Sequence, residues 1–180
     1  MSRLRLYAEE HPEAVLLETS EQDRIARALG EQGVRFERWP THLRQDALAS
    51  DEILALYGAQ IQQLQQQGGY AACDVVSLTP DHPQRSELRS RFLDEHVHQE
   101  DEVRFFVSGA GLFSLHIGNL VYEVLCEQGD LIGVPGGTPH WFDMGPKPSF
   151  TAIRLFTDPA GWVAHFTGSD LADRFPRYEG

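Results

Sequence analysis

His96-Val97-His98-Gln99-Glu100-Asp101-Glu102 places two imidazoles and a carboxylate where one metal ion can collect them. In a β-strand successive side chains alternate faces, so His96 and His98 point the same way, whereas a helical site would set its histidines four residues apart. The spacing therefore predicts a strand. Glu102 shares the same parity and closes on the same point if the chain bends modestly after His98. Downstream, Gly129-Asp130-Leu131-Ile132-Gly133-Val134-Pro135-Gly136-Gly137-Thr138-Pro139-His140 reads as a buried strand ending in a Gly/Pro turn that delivers one more histidine. Three imidazoles and one carboxylate suit a borderline divalent ion such as iron, nickel, cobalt or manganese and leave two positions of an octahedron open. With a ligand charge of about −1, a bound divalent ion keeps about one positive charge for an oxyanion.

Working outward, the second half is almost pure β. Glu102 to Val107 is expected to stop at Ser108-Gly109-Ala110-Gly111. Leu112 to Ile117 stops at Gly118-Asn119, a two-residue hairpin signal. Val121 to Cys126, Leu131 to Val134 and Phe150 to Phe156 complete six or so strands, which suggests a small barrel or jelly roll wrapped around a cavity. The first half is mixed. Ser20 can cap a helix running to Gly30, with Asp23 at the capping-box position and Ile25, Ala28 and Leu29 on one face. Val34 to Trp39 reads as extended. Ser50 can cap a second helix in which Ile53, Tyr57, Ile61 and Leu64 form one apolar stripe up to Gly68-Gly69. Tyr70 to Leu78 reads as a strand and Pro83 to Phe92 as a short helix. The chain is therefore expected to be one domain over 1–180: a mixed part at 1–92, a metal-binding barrel core at 93–160 and a C-terminal segment at 161–180.

The net charge of −12 and the single lysine, Lys147, argue against nucleic acid, because a phosphate-binding surface needs clustered positive charge and the fourteen arginines are scattered. There is no apolar leader and no run of about 18 apolar residues to span a bilayer, so a cytoplasmic, membrane-free protein is expected. Cys73 and Cys126 lack the paired spacing of a zinc or redox motif and read as small hydrophobes. His11, His42, His82, His116 and His165 belong to neither motif and read as surface or packing residues. If Glu102 faces the cavity, Arg104 and Phe106 do so too. An inward arginine either stabilises an anionic substrate or forms a structural ion pair, and periodicity does not choose. Arg154 poses the same question. Phe142 is a further candidate for the pocket wall, and Glu95 and Asp101 flank the ligands as candidate orienting groups.

The two segments resemble the cupin motifs, H-x-H-x3-E-x6-G from His96 to Gly109 and G-x5-P-x-G-x2-H from Gly129 to His140. Ser90 stands where a glycine usually opens the first motif, and Met144 where an asparagine usually closes the second. Four longer stretches narrow the resemblance: Gly33 to Trp39, Phe92 to Val107, Asp130 through the Pro139-His140-Trp141-Phe142-Asp143-Met144-Gly145 turn, and Phe150 to Phe156. Nearly the whole chain is similar to the bacterial acireductone dioxygenases, and Met144 fits that family. The resemblance implies a mainly β cupin barrel that acts on 1,2-dihydroxy-3-keto-5-methylthiopentene and dioxygen in methionine salvage. Iron(II) would give formate and 4-methylthio-2-oxobutanoate; nickel(II) would give formate, carbon monoxide and 3-methylthiopropanoate. It further implies His96, His98, Glu102 and His140 as ligands and Arg104 as the residue that generates or holds the enediolate dianion. Glu95 is implied in metal incorporation, Asp101 in relaying conformational change, and the protein as a monomer. Fold and ligands alone leave open another cupin dioxygenase or isomerase, or a non-catalytic metal-binding cupin.

Overall fold

The computed structural model describes residues 1–42, 48–159 and 163–180, so the expected boundary between barrel core and C-terminal segment at residues 160 and 161 lies outside them. Among the described residues, two antiparallel sheets share one long strand. The strands are β1 (Arg3–Ala8), β2 (Val15–Thr19), β3 (Arg35–Arg38), β4 (Ala72–Leu78), β5 (His96–Val97), β6 (Glu102–Ile117), β7 (Leu120–Glu127), β8 (Asp130–Val134), β9 (His140–Asp143), β10 (Phe150–Phe156) and β11 (His165–Phe166). One sheet runs β11-β5-β9-β6-β7-β1-β2, and β3-β8-β6-β10-β4 forms the other. The helices are α1 (Gln22–Gly30), α2 (Ser50–Leu56), α3 (Gly58–Gly68) and α4 (Arg85–Leu93). None of the described helices is long and apolar enough to cross a membrane.

Strand β6 explains how two sheets enclose a space. The expected stop at Ser108-Gly109-Ala110-Gly111 does not occur, and the strand continues for 16 residues. Opposite it, Thr151 pairs with Ser108 but Ala152 pairs with Phe106, leaving Val107 as the extra residue of a bulge. A bulge sharpens the local twist, and Gly109 at φ +72° follows it, so the strand turns a corner instead of ending. Only glycine fits there, because a Cβ at residue 109 would lie 1.8 Å from the Ser149 carbonyl oxygen. The bulge also shifts parity. Before it Phe106 faces inward; beyond it the inward positions are Phe113 and Leu115.

The interior is packed from both sheets by Leu4, Phe36, Phe106, Phe113, Ile132 and Phe142, together with Ile25 and Leu29 of α1. Full burial of such a side chain contributes about 1.5–3 kcal/mol. Outside, α2 and α3 cover Val103, Phe105 and Val107 with Ile53, Tyr57 and Leu64. Leu171, Ala172 and Phe175 of the C-terminal segment cover Tyr7, Val121 and Trp141 on the other sheet.

Two helix expectations need correction. Ser20 does not cap α1: the N-cap is Glu21, whose N–H donates to Thr19 Oγ1 at 3.2 Å. The single helix expected from a Ser50 cap to Gly68 has Ala49 as its N-cap, with Ser50 already helical, and is broken at Tyr57, which leaves helical geometry at φ −101°, ψ 15°. Gly58 follows at the position of lowest helical cost to break, and the Tyr57 ring buries against Phe105 with 5.2 Å between centroids. The N-terminal hairpin of β1 and β2 was not expected, although Arg3-Leu4-Arg5-Leu6 alternates at the period of a strand.

Candidate metal centre

Each imidazole of the cluster is delivered by backbone pairing. His96 on β5 sits directly opposite His140 on β9, and β9 in turn pairs with β6. The turn before His140 is clamped onto the segment that bears His98, which lies just past the end of β5 and not on the strand expected for it: Gly137 N–H donates to the His98 carbonyl at 2.8 Å, and Gly136 N–H donates to Asp101 Oδ1 at 2.7 Å. The approach is so close that a Cβ at Gly136 would meet the Gln99 carbonyl oxygen at 2.4 Å. That contact is the physical reason for glycine at this point of the turn.

The ring orientations are fixed from behind. Nδ1–H of His96 donates to the Asp94 carbonyl at 2.7 Å, that of His98 to the Val163 carbonyl at 3.1 Å, and that of His140 to the Thr138 carbonyl at 2.8 Å. A carbonyl can only accept, so each ring carries a proton on Nδ1, and the neutral tautomer this selects turns a bare Nε2 lone pair inward. One ligand atom from each of the three rings lies within 4.8 Å of the others. Glu102 stands beside two of them: its Oε2 is 3.6 Å from His98 Nε2 and 3.8 Å from His140 Nε2. Glu102 Oε2 and His140 Nε2 are both fully buried and, among the described residues, have no hydrogen-bond partner. Buried polar atoms are rarely left so, and acceptor atoms converging without donors fit a cation between them.

Charge is arranged to match. Burial pushes the His140 imidazole down to about 3, with neighbouring His96 adding to the effect, so the ring is neutral and able to ligate. Burial also lowers His96. For Glu102 burial acts upward, but Arg104, with His140 and His98, outweighs it and holds the carboxyl at about 2. Arg104 does so through a fork, Nη2 at 2.6 Å and Nε at 3.1 Å from Glu102 Oε1, which leaves Oε2 facing the imidazoles. Its guanidinium is flanked by the Phe113 and Phe142 rings at 4.8 and 5.0 Å.

These groups open on a cavity of about 500 Å³. Arg104, Phe142 and Arg154 line it, and Arg154 is also forked onto Asp74 at 3.0 and 2.7 Å. Both arginines thus combine the two alternatives, ion pair and cavity wall. Phe106 does not line it. Packed 6.5, 6.3 and 6.2 Å from Phe113, Phe142 and Phe150, it stands one layer behind the wall. The sequence reading missed Phe113, hidden by the parity shift at the bulge. It also missed Leu88, Arg91 and Phe92 on α4, and Val163, Ala164 and Phe166 after β10. Only the i, i+3, i+4 spacing on α4 carried a local signal. Glu95 faces away from the cavity: Oε2 contacts His116 Nδ1 at 3.1 Å and Oε1 accepts from Thr167 Oγ1 at 2.7 Å. His116 reaches Glu9 with Nε2 at 2.6 Å and takes no part in the cluster.

A corner-turning antiparallel barrel with a three-imidazole cluster at its strand ends defines the class: a cupin-type fold with a candidate metal centre. The match of residues 3–164 to the ARD/ARD' family model makes the assignment specific, and the chain belongs to that family, the acireductone dioxygenases. It is 55% identical to the acireductone dioxygenase of Stenotrophomonas maltophilia (strain K279a), over 99% of this chain and 97% of that one. It is 57% identical to that of Pseudomonas aeruginosa (strain UCBPP-PA14), over 99% of both. Among solved structures, an acireductone dioxygenase from Bacillus anthracis with a cadmium ion in its active centre is 34% identical. The match covers 92% of this chain and 98% of that one, with a TM-score of 0.81.

Proposed function

We propose that this chain is an acireductone dioxygenase that uses one iron(II) or nickel(II) ion to cleave 1,2-dihydroxy-3-keto-5-methylthiopentene with dioxygen in methionine salvage. The observation that carries the reading is the convergence of three bare Nε2 atoms and an unpartnered Glu102 oxygen beside a buried guanidinium. His96, His98, Glu102 and His140 would hold the ion. When bound, it would supply Lewis acidity and a template for a substrate chelating through two oxygens.

The chain's own residues supply the rest. Arg104 spends two N–H groups on Glu102 and keeps its others for an anionic oxygen of the substrate, favouring the ionised enediol in a cavity walled by Phe113 and Phe142. Arg154, held in place by Asp74, adds a second guanidinium. The aromatic walls limit water, which strengthens each of these charge interactions. Glu95, through Thr167 and His116, anchors the strand that bears His96, in keeping with a part in metal incorporation. Asp101 ties the two ligand-bearing segments, in keeping with a conformational relay. We read the chain as a single-domain cytoplasmic monomer that acts without nucleic acid or membrane, in line with its acidity.

The test is anaerobic mixing of acireductone with protein loaded in turn with iron and nickel, followed by oxygen. Loss of ultraviolet absorption should exceed the uncatalysed rate with either ion, and only the nickel form should release carbon monoxide. No acceleration with iron, nickel, cobalt or manganese would overturn the reading in favour of a non-catalytic metal-binding cupin.

A further inference from the structure

In a chain with 27 acidic and 15 basic residues, the cavity lining among the described residues carries three arginines, three histidines and no carboxylate. The arginines differ in how they are spent. Arg104 forks onto Glu102 and Arg154 onto Asp74, so each is largely neutralised where it stands. Arg91 is different. It lies in the last turn of α4 with an exposed side chain on the cavity lining, which puts it at the rim. Among the described residues it has no ion-pair or hydrogen-bonding partner. Glu87, one turn earlier, and Asp94, just past the helix end, are both near in sequence, yet neither pairs with it. Leu88 and Phe92 share its face of the helix and line the same cavity, so packing on α4 fixes the direction in which Arg91 projects.

An anion approaching a protein of net charge −12 meets an unfavourable field nearly everywhere. We propose that Arg91 recruits the substrate: an unpaired rim cation that draws a small chelating oxyanion, the ionised enediol, into the cavity. This rests on the acireductone reading. Arg104 and Arg154 then receive the anion at depth, where their compensated charges cannot reach far into solvent. Because the interaction acts through water over about one Debye length, about 10 Å at 0.1 M salt, it is weakened by added salt and governs capture more than the chemical step.

The experiment compares wild type with R91K, R91A and R91E in nickel-loaded protein at low and high salt. Expected is a fall in kcat/KM at low salt of about threefold to tenfold for R91A and more for R91E, carried by KM, with R91K close to wild type and the salt dependence flattened in R91A. R27E, at an exposed position on α1 away from the cavity, makes the same change in net charge and should leave the kinetics as they are. Calorimetric titration with oxalate, a dianionic chelator, should show the same order of affinities without any turnover. Wild-type kcat/KM and salt slope in R91E, R91K as impaired as R91A, or R27E as impaired as R91E would each overturn the proposal. Absence of acireductone turnover in wild type with the oxalate series intact would instead overturn the dioxygenase reading and leave the role of Arg91 standing.

Discussion

Glu102 and Glu123 are carboxylates on neighbouring strands, 2% and 4% exposed, and each has one oxygen without a hydrogen-bond partner. Their carboxyls are shifted in opposite directions. Glu102 is held at about 2 by the Arg104 fork. Glu123 is pushed up to about 7 by burial, which Tyr7, Arg5 and Arg3 offset only in part. Arg5 stands directly across from Glu123 on β1 but spends its guanidinium on Glu18 at 2.7 Å. On the other side, the equally buried Ser114 hydroxyl is also unpartnered. Burial therefore pushes an acid upward in this barrel, and the anionic charge at Glu102 is secured chiefly by one guanidinium at hydrogen-bonding distance.

The most damaging way to break the contrast is to remove the anion itself. E102A should lower metal affinity by more than the 10–100-fold that loss of an outer partner costs, with turnover falling in step; metal stoichiometry after dialysis measures it. R104A leaves the carboxylate but strips its cation, so the Glu102 pKa should rise toward what burial dictates and the pH of half-maximal metal loading should rise with it. Turnover should fall about a hundredfold or more, and R104K should not restore it, because a lysine cannot fork. A rise in loading pH equal in R104A and R104K would tie the effect to the fork, whereas an unchanged loading pH in both would remove Arg104 from the account.

The smaller effects lie at Glu123. Its folded pKa of about 7 exceeds the ordinary 4.5, so between those values the native state binds more protons than the unfolded one. The contribution to stability is fully present below about 4.5 and lost as pH rises through about 7. E123Q cannot ionise and should be more stable than wild type at pH 8 by on the order of 1–3 kcal/mol, with little difference at pH 5, read from denaturation at the two pH values. S114A should shift stability by about 1 kcal/mol or less, in the stabilising direction, since it removes a buried hydroxyl that has no partner.

The ligand-bearing stretch was legible because strand parity is a local property: His96, His98 and Glu102 declare a shared face within seven residues, and the Pro135–His140 turn declares its own end. Family resemblance added what spacing could not, the expected substrate and the part proposed for Arg104. What stayed hidden was decided between distant segments. Nothing local to Ser108-Gly109-Ala110-Gly111 distinguishes a strand end from a corner, because the pairing with β10 on one side and β7 on the other makes the difference. The inward turn of Phe113 follows from that corner. Arg91 and Phe166 reach the cavity only through the packing of α4 against β9 and the pairing of β11 with β5.

Strand β5 is two residues long, and its outer neighbour β11 is also two residues long and ends the sheet. So short an edge is held by few backbone hydrogen bonds, yet it carries His96, while the Val163 carbonyl just before β11 orients His98. In the language of amide exchange, the edge belongs to the low-stability end of the molecule, and an ion held by His96, His98, Glu102 and His140 would cross-link it to β6 and β9. Entry and loss of such an ion would then require only fraying of this margin, with the barrel intact, and hydrogen exchange at Val97 and Phe166 should slow on metal loading while that of β6 and β7 stays unchanged.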